Sequence, residues 1–310
     1  MKILHIPFRD IILFVIIFIL VGLFFVLKNS PFKEDDEYSV IESSSIPRLK
    51  VATSLPLAAE WISKVGGTRV DVMVMPFYAE DDIRQWLGSS KSSRDKKALF
   101  LSIGNGFDDW TDSITQKFPE ISVVSMNQFV TSSIPISNII DSNDSFEGVQ
   151  FYYWLSLDNA RRVVQAIARE FGGIDVGNKE YFINNAYEYS IQIDTLLQGS
   201  LSVISSSKRT PIIIAKPQLL PFVQSLKLDI NGGFDIEKES YPDKVLSKIR
   251  SFCRNNGIKV IIATREFDSS SYAKVIKDAG LFIVPIDWWA QGEGYMDVMR
   301  ANISQILRRL

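Results

Sequence analysis

From position 11 to 27 the chain carries no charge, and only Gly22 interrupts large apolar side chains. Coiled as a helix, such a run covers roughly 25 Å and reads as an N-terminal transmembrane helix. Lys2 and Arg9 precede it. Lys28 and Lys33 follow, but Glu34, Asp35, Asp36 and Glu37 then turn the segment acidic. This asymmetry puts the N-terminus in the cytoplasm and the bulk of the chain outside. A cleaved secretory signal is the competing reading, although no small-x-small site follows Leu27 and no cysteine follows for lipid attachment. Residues 1–30 are thus assigned to a cytoplasmic tail and anchor. Residues 31–48, with Pro31, Ser43, Ser44, Ser45 and Pro47 and no hydrophobic period, are assigned to a linker.

Beyond the linker the pattern alternates between short apolar runs and helical spacing. Strands are expected at 49–54, 69–76, 97–103 and 121–126, with helices at 57–65 and 107–118 between them. The scheme recurs, with strands at 211–215, 228–230, 259–263 and 281–286 and helices at 219–226, 242–255, 269–279 and 295–310. Alternation of this kind implies α/β architecture with parallel sheets covered by helices. Two further helices separate the halves, at 158–171 and 178–204. The second places Phe182, Ala186, Tyr189, Ile193 and Leu196 on one stripe. A break near Gly199 would divide it into two ordinary helices. The organisation read from the pattern is an N-terminal lobe (49–157), bridging helices (158–207) and a C-terminal lobe (208–310).

Composition narrows the chemistry. The only histidine, His5, precedes the apolar run, so the downstream chain cannot assemble a Ser-His-Asp triad, a Cys-His pair or a histidine-rich zinc site. Cys253 is the single cysteine, which excludes an intrachain disulfide, and its helical, apolar context points to burial. With 23% charged residues and a net charge of −2, and no Lys/Arg stripe interleaved with aromatics, nucleic acid is not an expected partner. Gly104-Asn105-Gly106 between a strand and a helix is a poor nucleotide fingerprint, because Asp109 stands where a third glycine is needed.

Several ordered segments carry a resemblance. Lys50-Val-Ala-Thr-Ser-Leu-Pro-Leu-Ala58 followed by Val65-Gly-Gly-Thr-Arg-Val-Asp-Val72 resembles the opening of the zinc and manganese solute-binding proteins of ABC importers. So do Ile103 to Trp110, Tyr153 to Ala160, Asn256 to Ile261 and Tyr295 to Asn302, and the resemblance covers residues 49–310. It implies two lobes joined by a rigid helix, a cleft that holds a metal, an ABC permease as partner, and no enzymatic activity. Carried onto this chain, the family's four ligand positions fall near Asp82 and on Tyr152, Lys216 and Asp287, with Trp288 and Trp289 beside the last.

That set does not suit tight zinc. A lysine ammonium has no lone pair and repels a dication, and a tyrosine must ionise from a pKa near ~10 to ligate well. Asp82 and Asp287 alone would remain, a pair suited to weak capture of a hydrated hard cation. Lys216 is therefore expected to replace the cation, pairing with Asp82 or Asp287. Each residue also has a plainer role: Asp82 as a helix cap, Tyr152 and Trp154 as core aromatics, Lys216 as an exposed strand end. The functional expectation is a membrane-anchored extracytoplasmic solute-binding protein without a resident cofactor. The alternative is a degenerate copy of the fold that serves as a scaffold for another envelope protein. An enzyme built on paired carboxylates is permitted by the acidic and aromatic residues, whose separation the sequence does not show, but is disfavoured by the resemblance.

Overall fold

The computed structural model describes residues 48–88, 98–132, 152–207, 210–235, 242–289 and 292–310. Among these no helix is long and apolar enough to cross a membrane. The apolar run at 11–27 and the linker as far as residue 47 lie outside the described residues.

The N-terminal half builds a parallel sheet from β1 (Leu49–Thr53), β2 (Val70–Val74), β3 (Ala98–Ser102) and β4 (Ile121–Ser125), in the order β2-β1-β3-β4. The C-terminal half repeats it with β5 (Ile212–Ile214), β6 (Ile230–Gly233), β7 (Val260–Thr264) and β8 (Phe282–Ile286), in the order β6-β5-β7-β8. All pairings are parallel. Strands buried on both faces need continuous apolar runs, and β1, β3, β5 and β7 are buried at every position.

Alternation along these strands divides the interior. Leu49, Val51, Leu99, Leu101, Ile212, Ile214, Val260, Ile262, Val284 and Ile286 point into one shared core with the bridging helices. Their neighbours Ala52, Ala98 and Phe100 face a separate outer core in one lobe, while Ile213, Ile261 and Ala263 face another in the second lobe. Side chains two apart share a face, so each strand feeds two cores. Cys253 lies in the second outer core, as its apolar context indicated.

The helices are α1 (Ala58–Gly66), α2 (Glu80–Gly88), α3 (Asp112–Lys117), α4 (Leu157–Ile174), α5 (Lys179–Ser206), α6 (Leu220–Ser225), α7 (Pro242–Asn255), α8 (Arg265–Asp268), α9 (Ser271–Asp278) and α10 (Tyr295–Leu307). Ser156 caps α4 by accepting from Asn159 N–H. Helix α5 is one unbroken element of 28 residues, about 42 Å long. Its seam is Phe182, Ala186, Tyr189, Ile193 and Leu197, with Leu196 only partly buried. Gly199 does not break it, because the buried face continues to Ser200.

Three expectations are corrected. The helix expected at 107–118 is a tight turn at Asp109–Thr111 followed by the short α3, since Asp108 is drawn inward. The helix expected at 269–279 is preceded by a separate turn, α8, each part capped by its own hydroxyl, Thr264 and Ser270. The strand expected at 228–230 begins only at Ile230. The sequence also gave no role to Lys50, which is 4% exposed in β1. Its ammonium donates to Trp86 O and to Leu87 O at 2.8 Å, satisfying carbonyls in the last turn of α2.

Candidate functional site

In a parallel sheet the carboxyl ends of the strands carry the loops that line a crevice. Here one short turn, Tyr153–Leu155, ties together such loops from both sheets. Tyr153 OH donates to Ile103 O, just past β3, at 2.9 Å. Tyr152 N–H donates to Gln218 O, past β5, at 2.9 Å. Trp154 Nε1 donates to Trp288 O, past β8, at 2.7 Å.

Aromatic rings fill the space between these contacts. Tyr152 lies flat on Trp288, with centroids 4.5 Å apart and planes inclined by 7°. Phe107 meets the edge of Trp154 at 5.0 Å and Tyr152 at 5.9 Å, and Trp289 flanks Trp288 at 5.3 Å. Offset or edge-on pairs of this kind contribute about 0.5–1.5 kcal/mol each beyond area burial. Tyr152 is 7% exposed and Trp154 fully buried.

Asp287 is placed by its backbone. Its N–H donates to Asn302 Oδ1 at 2.9 Å, and Asn302 Nδ2 donates back to Asp287 O at 2.8 Å, both from a fully buried Asn on α10. Its carboxylate accepts from Trp289 N–H at 3.3 Å and forms an ion pair with Arg265 at 3.0 Å. Arg265 is thus a cation on Asp287 that the sequence did not indicate. The physical reason is topological: Arg265 follows β7 directly, and β7 is the strand paired with β8, whose end carries Asp287. Lys216 follows β5, the next strand of the same sheet. Glu266, next to Arg265, accepts from Trp288 Nε1 at 3.2 Å and steadies the outer edge of the stack.

Asp82 lies in the first turn of α2 and is exposed. It is not the N-cap, because the helix begins at Glu80. The paired acid of this run is Glu80, whose carboxylate meets Arg84 at 2.6 Å and Lys117 at 2.9 Å and accepts from Tyr78 OH at 3.2 Å. Lys117 first, then Arg84 and Tyr78, hold its pKa at about 2.

The chemistry of this donor set does not suit a tightly held metal ion. Tyr152 lies in a ring stack, Asp287 carries a guanidinium, and a lysine ammonium at 216 has no lone pair to give. Among the described residues no three His, Cys, Asp or Glu side chains converge as a group that could hold a metal ion. Arg265, Glu266, Phe107 and Asn302 were not singled out from sequence. The available signal for the first two was position, as charged residues directly after a buried strand.

The Gly104-Asn105-Gly106 turn is occupied by the chain itself. Asp108, 3% exposed, accepts from Ser54 Oγ, from Ile103 N–H at 2.6 Å and from Gly104 N–H at 2.7 Å. These are the amides that a phosphate would have needed. Gly104 is required on two counts: its φ is 75°, and a Cβ would sit 2.0 Å from Ser125 Oγ.

The buried phenols set an alkaline limit. Burial raises the pKa of Tyr153, Tyr189 and Tyr295, and carboxylates add to it, Asp108 at the first and Glu60 at the other two. Burial also moves the Cys253 thiol from 9.0 to about 11. Each group prefers its neutral form in the folded chain, so the unfolded chain loses protons first. The stability they contribute is complete below about pH 9 and declines as pH rises through the unfolded-state values near ~9–10. The urea midpoint is expected to fall progressively above about pH 9. A midpoint constant to about pH 11 would contradict this.

The sequence profile of ZnuA, described as zinc-uptake complex component A, periplasmic, matches residues 51–308. A search of curated protein sequences returns no match. Among solved structures, ZnuA superposes with a TM-score of 0.66 at 17% identity, covering 84% of this chain and 98% of that one. The laminin-binding adhesin Lmb of Streptococcus agalactiae gives 0.65 at 14% identity, covering 84% and 99%. A Zn(II)-bound variant of AdcAII from Streptococcus pneumoniae gives 0.66 at 16%, covering 85% and 98%. At such identities these structures speak for the fold alone.

Proposed function

The chain belongs to the family of ZnuA, the periplasmic component A of a zinc-uptake complex, and from that premise we propose that it is a divergent, membrane-anchored solute-binding protein whose cleft is closed by stacked aromatics instead of a chelated cation. Its fold is that of the metal-binding solute-binding proteins of ABC importers. In this reading residues 1–30 anchor the chain, 31–48 tether it, and the lobes at 49–157 and 208–310, bridged by 158–207, stand outside the membrane and meet an ABC permease or another envelope protein.

The observation that carries the proposal is the contact of Tyr152 with Trp288, centred at 4.5 Å, at two positions where the family resemblance implied ligation or its immediate neighbour. A stack joining the loops of both sheets does the geometric work of a bridging ion, and needs no donor lone pairs. The Arg265–Asp287 pair supports the same reading, because it supplies fixed positive charge beside the remaining carboxylate. Tyr152, Trp288, Asp287 and Lys216 then contact a ligand other than tightly held zinc, and Asp82 with Asp287 provides at most weak divalent capture.

The test is metal content. The purified protein is expected to contain well under one zinc or manganese per chain by elemental analysis, and to gain no thermal stability from added zinc at low micromolar levels. A ligand at 100 times its Kd would raise stability by about 2.7 kcal/mol. One zinc per chain surviving dialysis would overturn the proposal.

A further inference from the structure

Helix α10 begins without a local cap. Its N-cap residue is Gly294, in extended conformation at φ −73°, ψ 157°, with no side chain to accept from the first-turn amides. Those amides lack intrahelical partners and sit at the positive end of the helix. The missing acceptor comes from the other lobe. Glu60 of α1 places Oε2 3.3 Å from Met296 N–H, the second amide of α10. Its other oxygen, Oε1, accepts from Tyr189 OH of α5 at 2.8 Å. One carboxylate therefore joins a helix of each lobe and the bridging helix. Beside it, Trp61 meets Tyr295 edge-on at 4.9 Å, both fully buried.

Gly294 makes this approach sterically available. A Cβ there would lie 2.3 Å from Glu60 Oε2, closer than any side chain could stay without displacing the carboxylate. Glycine is usually a weaker N-cap than Ser, Asp or Asn, yet here any of those would collide with the acid that substitutes for them. The absence of a side chain at 294 and the presence of an acid at 60 are two halves of one contact.

We infer that Glu60 is a helix cap acting in trans, a latch that fastens the last helix of the C-terminal lobe to the N-terminal lobe and to α5, and so holds the two lobes in fixed relation at a point separate from the aromatic stack. The device is independent of what the cleft binds. Arg300, which pairs with Asp297 at 3.1 Å, is the neighbouring cation on α10 and leaves Glu60 to the helix amide and the phenol.

The experiment is a reversal of sign measured in the full chain. In the native background Gly294→Asp sets a Cβ and a second carboxylate against Glu60, and Tm is expected to fall. In the Glu60→Ala background the same substitution restores an acid to the start of α10, and Tm is expected to rise by about 3 °C. A fall of equal size in both backgrounds overturns the cap.

Hydrogen exchange gives a second readout. Glu60→Ala is expected to accelerate exchange at the Met296 amide about five- to tenfold, and Gly294→Asp to restore slow exchange in that background. Glu60→Gln keeps the volume of the side chain and serves if the alanine variant does not fold. It is expected to accelerate exchange several-fold, and unchanged exchange overturns the cap. The fastening is read separately from spin labels at Lys64→Cys on α1 and Lys274→Cys on α9, both exposed. The buried Cys253 thiol, with its pKa pushed up to about 11, does not compete for the label. The interlobe distance distribution is expected to broaden in Glu60→Ala and to stay broad after Gly294→Asp, which repairs the helix but not the latch. A distribution as narrow as that of the native chain overturns the fastening role.

Discussion

Replacing Asp108 by alanine is expected to cost about 3 kcal/mol of unfolding free energy, a large share of the roughly 5–15 kcal/mol that holds a domain together. The carboxylate is 3% exposed and accepts from three donors: Ser54 Oγ past β1, and the amides of Ile103 and Gly104 past β3. Removing it leaves the half-buried Gly104 amide without its acceptor and the Ile103 amide with only Ser54 Oγ at 3.3 Å, and each unsatisfied buried donor costs about 1–3 kcal/mol. The contact also closes the N-terminal sheet where its strand order reverses, between β1 and β3. Asp108→Asn keeps the volume but turns an NH2 group toward the same amides, so it is expected to recover less than half of the loss. Ser54→Ala removes one donor and leaves the acceptor served by two others, with an expected cost of about 1 kcal/mol. Urea denaturation of the three variants gives the comparison. A loss below about 1 kcal/mol for Asp108→Ala would show that the stranded amides find other acceptors.

Trp154→Ala is expected to cost a similar amount, about 3–5 kcal/mol, by a different route. The indole is fully buried and touches Phe107, Tyr152 and Tyr153 at centroid distances of 5.0, 5.1 and 5.3 Å, so its removal leaves a cavity walled by rings. Its Nε1 also makes the 2.7 Å bond to Trp288 O that joins the turn to the loop after β8. The two contributions separate with Trp154→Phe, which keeps most of the packing and loses the bond, at an expected cost of about 1–2 kcal/mol. In both variants the Trp288 loop loses its tie, and collisional quenching of tryptophan fluorescence should increase. Full loss of stability in Trp154→Phe would assign the effect to the hydrogen bond, whereas no loss would assign it to packing.

Much of the fold was legible as period. The expected strand at 49–54 is β1 (Leu49–Thr53), and that at 281–286 is β8 (Phe282–Ile286), because a strand buried on both faces leaves an apolar run that short turns delimit. Helix α5 was legible as a stripe, but its continuity through Gly199 was not. A single glycine costs about 1 kcal/mol in a helix, which the burial of Ile193, Leu197 and Ser200 on either side outweighs. Cys253 read correctly as a core residue. Asp108 read only as part of the helix expected at 107–118, and its inward rotation replaced the start of that helix with a tight turn.

The site was less legible. The sequence by itself determined what could not occur there, since a chain whose only histidine precedes position 11 brings no imidazole to its cleft. It also determined most of the strands and helices and the order in which they repeat, because the backbone's periods of 2 and 3.6 act within a few residues of each side chain. Tertiary structure alone decided which loops meet. Trp154 and Trp288 are 134 residues apart, Glu60 and Met296 236 apart, and Asp287 pairs with Arg265 because of strand neighbourhood, not sequence type. Such contacts depend on how two sheets and a helix of 28 residues settle against one another, and that arrangement is fixed by packing summed over the whole shared core, which no local pattern encodes.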